Sequence, residues 1–113
     1  MVGVPYHYRD ERTGDGVESV HARVAAKELY RRNGLQHLPF NTLFQFAADQ
    51  NAGSLDCMDR ALLIPDLIAY WLTGQQVAET TNASTTGLLD ARAGQWDAEL
   101  MHMLGLPETC WLR

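Results

Sequence analysis

A helix-dominated α+β fold is what this 113-residue sequence predicts, and three features predict it. Apolar residues recur at spacings of three and four in several separate stretches. Glycine punctuation closes those stretches in the manner of helix C-termini. The β-branched segments are few and short, two or three strands at most, too few to make a stable sheet by themselves.

Taken in order, residues 1–16 place Pro5, Gly14 and Gly16 around the charged run Tyr8-Arg9-Asp10-Glu11-Arg12-Thr13, the pattern of a strand end running into a loop. Val17, Val20 and Val24 then recur at helical spacing, and a second short helix over about 25–32 stops at Asn33-Gly34. Leu38-Pro39-Phe40-Asn41-Thr42 turns the chain before Leu43, Phe44, Phe46 and Ala47 resume a helical face, with Asn41 placed as its N-cap. Turn-forming residues 50–54 end that helix, and 55–58 reads as one further helical turn. The run Ala61-Leu62-Leu63-Ile64 fits a short strand or buried helix equally; Pro65 suits a helix start, and Thr73-Gly74 its stop. The threonine-rich stretch 77–86 holds few strong helix formers and reads as extended. Trp96, Leu100, Met103 and Leu104 fall at i, i+4, i+7 and i+8 of a last helix, with Asp97 in its first turn and Gly105 and Pro107 ending it.

Composition narrows the function. Apolar residues make up 46% and charged residues 20%, which separates the chain from disordered proteins. The net charge is −5 and no basic cluster exceeds Arg31-Arg32, so neither nucleic acid nor an anionic membrane surface is an expected partner. The longest apolar run, 61–72, is too short to span a bilayer and contains Pro65 and Asp66. With no signal-peptide pattern at the N-terminus, a cytoplasmic location is expected. Cys57 and Cys110 lie far apart and read as ordinary thiols, and His7, His21, His37 and His102 show no ligand spacing. No phosphate-binding glycine loop, nucleophile elbow or zinc motif is present, and Thr80–Thr86 lacks the glycine turn or lysine of a phosphate cradle.

Three stretches carry further information. They are Val4-Pro5-Tyr6-His7-Tyr8-Arg9-Asp10-Glu11-Arg12-Thr13; Gly34-Leu35-Gln36-His37-Leu38-Pro39-Phe40-Asn41-Thr42-Leu43-Phe44-Gln45; and a discontinuous third of Leu62 to Asp66, Leu72 to Gly74, Thr81 to Thr86, Leu88 to Asp90 and Trp96-Asp97. In order and spacing they resemble the middle of the N-terminal domain of the rhamnulokinase-type, FGGY carbohydrate kinases, over about residues 4–107. Two departures stand out. Gly87 replaces a common glutamine, and residues 108–113 leave the family's pattern.

The resemblance implies a partial ribonuclease-H-like, actin-like ATPase domain of a sugar kinase. Such enzymes transfer the terminal phosphate of ATP, with magnesium, to a sugar hydroxyl, here of L-rhamnulose or a related ketose. It also implies that the first phosphate-contacting strands, the catalytic aspartate and the nucleotide domain lie outside this segment, so no catalytic, cofactor-binding or metal residue is assigned within it. What remains is part of the sugar pocket. Tyr8 and Asp10 match positions beside the sugar, and Phe40 and Asn41 match the helix entry lining the same pocket. Polyols are held by carboxylate and amide groups, with an aromatic face over their apolar side. The same residues also admit plain structural roles: Tyr8 and Phe40 as core, Asn41 as a cap, Asp10 as a partner of Arg12. A second function class, a non-catalytic helical interaction module or a truncated product, goes with the expectation that the face of Trp96, Leu100, Met103 and Leu104 lacks a covering sheet.

Overall fold

The first helix, α1, spans Thr13–Arg23 and so begins before the valine spacing announces it, taking in Gly14 and Gly16. The computed structural model describes residues 3–111. Asp15 in the first turn and His21 and Arg23 in the last suit the helix dipole. Helix α2 covers Ala26–Asn33 and closes on Gly34 in the left-handed region. Helix α3 covers Thr42–Asn51, followed by a 3₁₀ turn over Ser54–Cys57. Helix α4, Ile64–Thr73, carries a proline in its first turn and ends on left-handed Gly74.

The remaining elements depart from the sequence reading in informative ways. No strand forms over residues 3–12; His7–Asp10 instead closes a turn, with the Asp10 N–H donating to the His7 carbonyl at 2.9 Å. Residues 61–63 join no regular element, and the Ala61 N–H pairs with the Cys110 carbonyl at 3.0 Å. The threonine-rich stretch is not extended: Thr80–Ser84 forms α5. The Glu79 carboxylate accepts from the Thr81 and Asn82 N–H groups at 2.8 and 2.9 Å, so a local cap overrides β-propensity. Trp96 does not belong to the last helix. It lies on β2 (Gln95–Trp96), paired antiparallel with β1 (Leu89–Asp90). The Asp90 carboxylate ties this hairpin's turn by accepting from Arg92 and Ala93 at 2.8 and 2.7 Å. Helix α6, Ala98–Leu104, starts after Asp97, whose carboxylate accepts from the Leu100 N–H at 2.9 Å.

One core joins these pieces. Val20, Val24, Leu29, Leu43, Phe44, Ala47, Leu88, Leu100, Met101 and Leu104 are all buried in it. The close approach of α1 to α3 sets its geometry: a β-carbon on Gly16 would collide with the Phe44 carbonyl oxygen. On α6 the expected bare face is covered within the chain, Leu100 and Leu104 being buried and only Met103 standing out. Cys110 and Trp111 are buried in the same core, whereas Leu112 and Arg113 lie outside the described residues. The uncovered apolar face is on α4, where Ile64, Ile68, Trp71 and Leu72 are exposed. No helix among the described residues is long and apolar enough to cross a membrane.

Polar contacts fasten the layers. The Leu43 N–H donates to the Thr86 carbonyl, and the Asn33 amide donates to the Gly87 carbonyl at 3.1 Å. Arg32 of α2 donates to both Asp97 oxygens at 3.1 and 3.0 Å and reaches Glu28 and Glu99. Glu28 also receives a two-pronged hydrogen bond from Arg31, and chiefly through it the carboxyl is held down from 4.5 to about 2.

Two outcomes follow for stability. Gly16→Ala is expected to cost about 1–3 kcal/mol or more through overpacking at the helix crossing. Gly14→Ala, where a β-carbon meets nothing within 4 Å, is expected to be neutral or stabilising by up to about 1 kcal/mol; thermal melts of the two variants check the contrast. Because the folded-state pKa of Glu28 is depressed, its contribution is present above pH 4.5 and fades as pH falls towards about 2. Glu28→Gln should therefore flatten the loss of melting temperature across that interval, and parallel slopes for both proteins would contradict it.

Candidate functional site

The loop that carries Tyr8 and Asp10 is built by its own short-range bonds. His7 accepts from the Arg9 N–H through Nδ1 at 3.3 Å, and one Asp10 carboxylate oxygen accepts from the Arg12 N–H at 2.9 Å. The Thr13 hydroxyl donates to the Asp10 carbonyl at 3.2 Å, so the loop feeds directly into α1. Asp10 is thus a partner of the Arg12 main chain, and its second carboxylate oxygen carries no hydrogen bond among the described residues. The Arg12 guanidinium reaches elsewhere: it bonds Asp49 near the end of α3 at 2.6 Å and lies 4.0 Å from the centre of the Tyr6 ring. A half-buried ion pair thereby pins the loop against α3.

The second half of the candidate site is the entry to α3. Tyr8 and Phe40 meet edge-on with ring centres 5.4 Å apart, so the structure brings these two together across 32 positions of sequence. Neither is core: Tyr8 is exposed and Phe40 half-buried. Asn41 occupies the N-cap position of α3, and its carbonyl accepts from Phe44, but its side chain makes no capping bond. That amide is left over for something else. It lines a small cleft of about 120 Å³ together with His21, Tyr30, Asn33, His37 and Phe44. Tyr8 and Phe40 are thus brought into contact, whereas no hydrogen bond joins the Asp10 carboxylate to the Asn41 side chain among the described residues.

The cleft brings together two histidines that the sequence marks by no ligand spacing. The rings of His21 and His37 lie 5.4 Å apart, each against the buried ring of Phe44 at 5.8 and 5.2 Å. The available signal was faint: His21 follows Val17 and precedes Val24 on one side of α1, and His37 stands four residues before Asn41. A larger open groove of about 810 Å³ beside the hairpin is lined by Leu89, Trp96, Met101 and Trp111 among others. Trp96 and Trp111 stack there at 4.6 Å, and the buried Trp111 indole N–H has no hydrogen-bond acceptor among the described residues. No group of three acidic, histidine or cysteine side chains converges as a metal set among the described residues.

Comparison with known proteins shows the family and the fold. Residues 6–112 match the N-terminal domain of the FGGY family of carbohydrate kinases. The chain is 46% identical over 113 residues to the rhamnulokinase of Pectobacterium atrosepticum, covering 98% of this chain and 23% of that protein. It is 44% identical over 108 residues to the rhamnulokinase of Yersinia pestis bv. Antiqua (strain Angola), covering 94% of this chain and 22% of that protein. Among solved structures, gluconate kinase and ligand-bound xylulose kinase from Lactobacillus acidophilus each superpose with a TM-score of 0.81 at 24% identity, over 94% of this chain and 22% of theirs. The chain therefore spans under a quarter of the length of the relatives it matches.

The Arg12–Asp49 pair is expected to hold the Tyr8–Asp10 loop in place. Arg12→Gln should leave the helices folded by circular dichroism while the amides of Asp10 and Gly14, both bonded within this loop, exchange with solvent several-fold faster. Unaltered exchange at both amides would show that the loop's own turns suffice.

Proposed function

The chain belongs to the FGGY family of carbohydrate kinases, and from that premise we propose that it forms the acceptor-side part of a kinase that phosphorylates L-rhamnulose or a closely related ketose. The observation that carries the substrate class is the 46% identity to rhamnulokinase along 98% of the chain. In this reading the parent protein is cytoplasmic and has two actin-like, ribonuclease-H-like lobes around a cleft, and this chain is a helical portion of the first lobe.

The proposed sugar contacts are Tyr8, Asp10, Phe40 and Asn41. The unspent oxygen of Asp10 accepts from a sugar hydroxyl, while the Asn41 amide, free of capping duty, both donates and accepts. The edge-on pair Tyr8–Phe40 presents apolar ring surface to the C–H side of the sugar. These residues bind and orient the acceptor. Phosphoryl transfer needs charge stabilisation around the nucleotide and a positioned base. As the family resemblance implies, ATP and magnesium are assigned to parts of the parent outside this chain, and no chemical step is routed through the residues present.

The test is a graft. The 113-residue chain alone should show no ATP-dependent phosphorylation of L-rhamnulose. Spliced in place of the matching stretch of the Pectobacterium atrosepticum rhamnulokinase, it should restore turnover. Within that chimera, Asp10→Ala or Asn41→Ala should lower kcat/KM for sugar by roughly 1–3 kcal/mol equivalent, while KM for ATP stays put. A folded chimera with no sugar kinase activity would refute the assignment, and unchanged sugar kinetics in both variants would remove these residues from the pocket.

A further inference from the structure

We infer that the cleft beside Asn41 is a binding site for a small neutral polyol, with His21 and His37 as hydrogen-bonding partners that join Asn41 in holding it. The inference deepens the sugar-pocket reading and rests on it for the ligand's class. Four segments converge on this cleft: His21 comes from α1, Tyr30 from α2, His37 from the turn after α2, and Asn41 from the start of α3. Its floor is the ring of Phe44, 2% exposed.

Chemistry narrows the occupant. No aspartate, glutamate, lysine or arginine lines the cleft, so nothing there would repay the desolvation of an ionic ligand. The imidazoles of His21 and His37 and the amide of Asn41 make no hydrogen bond within the chain among the described residues, yet all three residues line one cavity. A neutral imidazole and a carboxamide each donate and accept, which matches hydroxyl groups, themselves both donors and acceptors. The two imidazoles and Phe44 also supply ring surface for C–H groups. Two histidines without a third ligand do not make a metal site, in keeping with the absence of any three-residue metal set among the described residues. At about 120 Å³ the cleft admits several water-sized groups, enough for a short run of hydroxyl-bearing carbons.

Histidine-selective ¹H–¹⁵N NMR of the 113-residue chain, titrated with L-rhamnulose and separately with gluconate as a charged comparator, tests the site. The imidazole signals of His21 and His37 should move together and saturate with L-rhamnulose, while exposed His102 on α6 stays still. Gluconate should bind at least about tenfold more weakly. His37→Ala should weaken L-rhamnulose binding about five- to tenfold, and His37→Gln, which keeps a donor and an acceptor, should recover part of the loss. His37 is exposed, so both variants are expected to fold, which circular dichroism confirms in the same samples. Shifts confined to His7, which packs on Tyr8, would place the sugar at the Tyr8–Asp10 loop and overturn this inference while leaving the sugar-pocket reading intact. No imidazole shift at all would also overturn it, and equal binding of gluconate would overturn the neutral class of ligand. The kinase assignment itself stands or falls separately, on the activity of the chimera.

Discussion

The approach of α1 to α3 at Gly16 is the constraint on which the rest of the arrangement depends. With no side chain at that position, the backbone of α1 sits directly on the Phe44 carbonyl, and the buried alanines Ala47 and Ala48 keep the facing turn of α3 equally thin. Everything at the candidate site is measured from that crossing. Arg12, just before α1, comes within 2.6 Å of Asp49. His21, further along the same helix, reaches Phe44 and His37. At the far end, Arg23 donates to the Leu104 carbonyl at 2.6 Å and so fastens the C-terminus of α6. A wider crossing would separate the Tyr8–Asp10 loop from the Phe40–Asn41 entry, which are adjacent only because α1 and α3 are.

The distribution of apolar surface follows a different logic. The chain covers its own last helix, largely through the turn of residues 105–111 that returns Leu106, Cys110 and Trp111 to the core. It leaves α4 uncovered, with Trp71 at 68% and Leu72 at 81% exposure. Such a stripe is a contiguous run of exposed apolar side chains on one helix, in a chain that spans under a quarter of the relatives it matches.

Much of this was legible in the sequence where a local signal and the tertiary context agreed. Gly34, Gly74 and Gly105 each end a helix in the left-handed region, where glycine carries no β-carbon penalty, and Pro65 opens one. The misreadings came where two local rules competed. At 80–84 the threonines favour a strand, but Glu79 offers its carboxylate to two helix N–H groups, and a cap depends on one residue that a propensity count averages away. Trp96 falls at helical spacing from Leu100, yet Asp97 caps the start of the helix one residue later and leaves Trp96 to pair with Leu89. Tyr8 and Phe40, whose rings meet in the structure, were picked out because a family resemblance marks their positions. The His21–His37 cleft was not, since two histidines sixteen residues apart become neighbours only through the α1–α3 crossing.

Asp97 brings a consequence for the order of events during folding. Its carboxylate caps a helix of seven residues and also holds Arg32, 65 positions earlier in the chain. A helix that short has no persistence of its own in water. Its start is therefore secured at the moment a long loop closes, when α2 arrives beside the hairpin, and the entropy of that closure precedes any benefit from the cap. The C-terminal third of the chain is in this sense kinetically dependent on the N-terminal third. During synthesis from the N-terminus, α1, α2 and α3 can assemble early, whereas the hairpin and α6 have a template to settle on only once Arg32 is already presented to them.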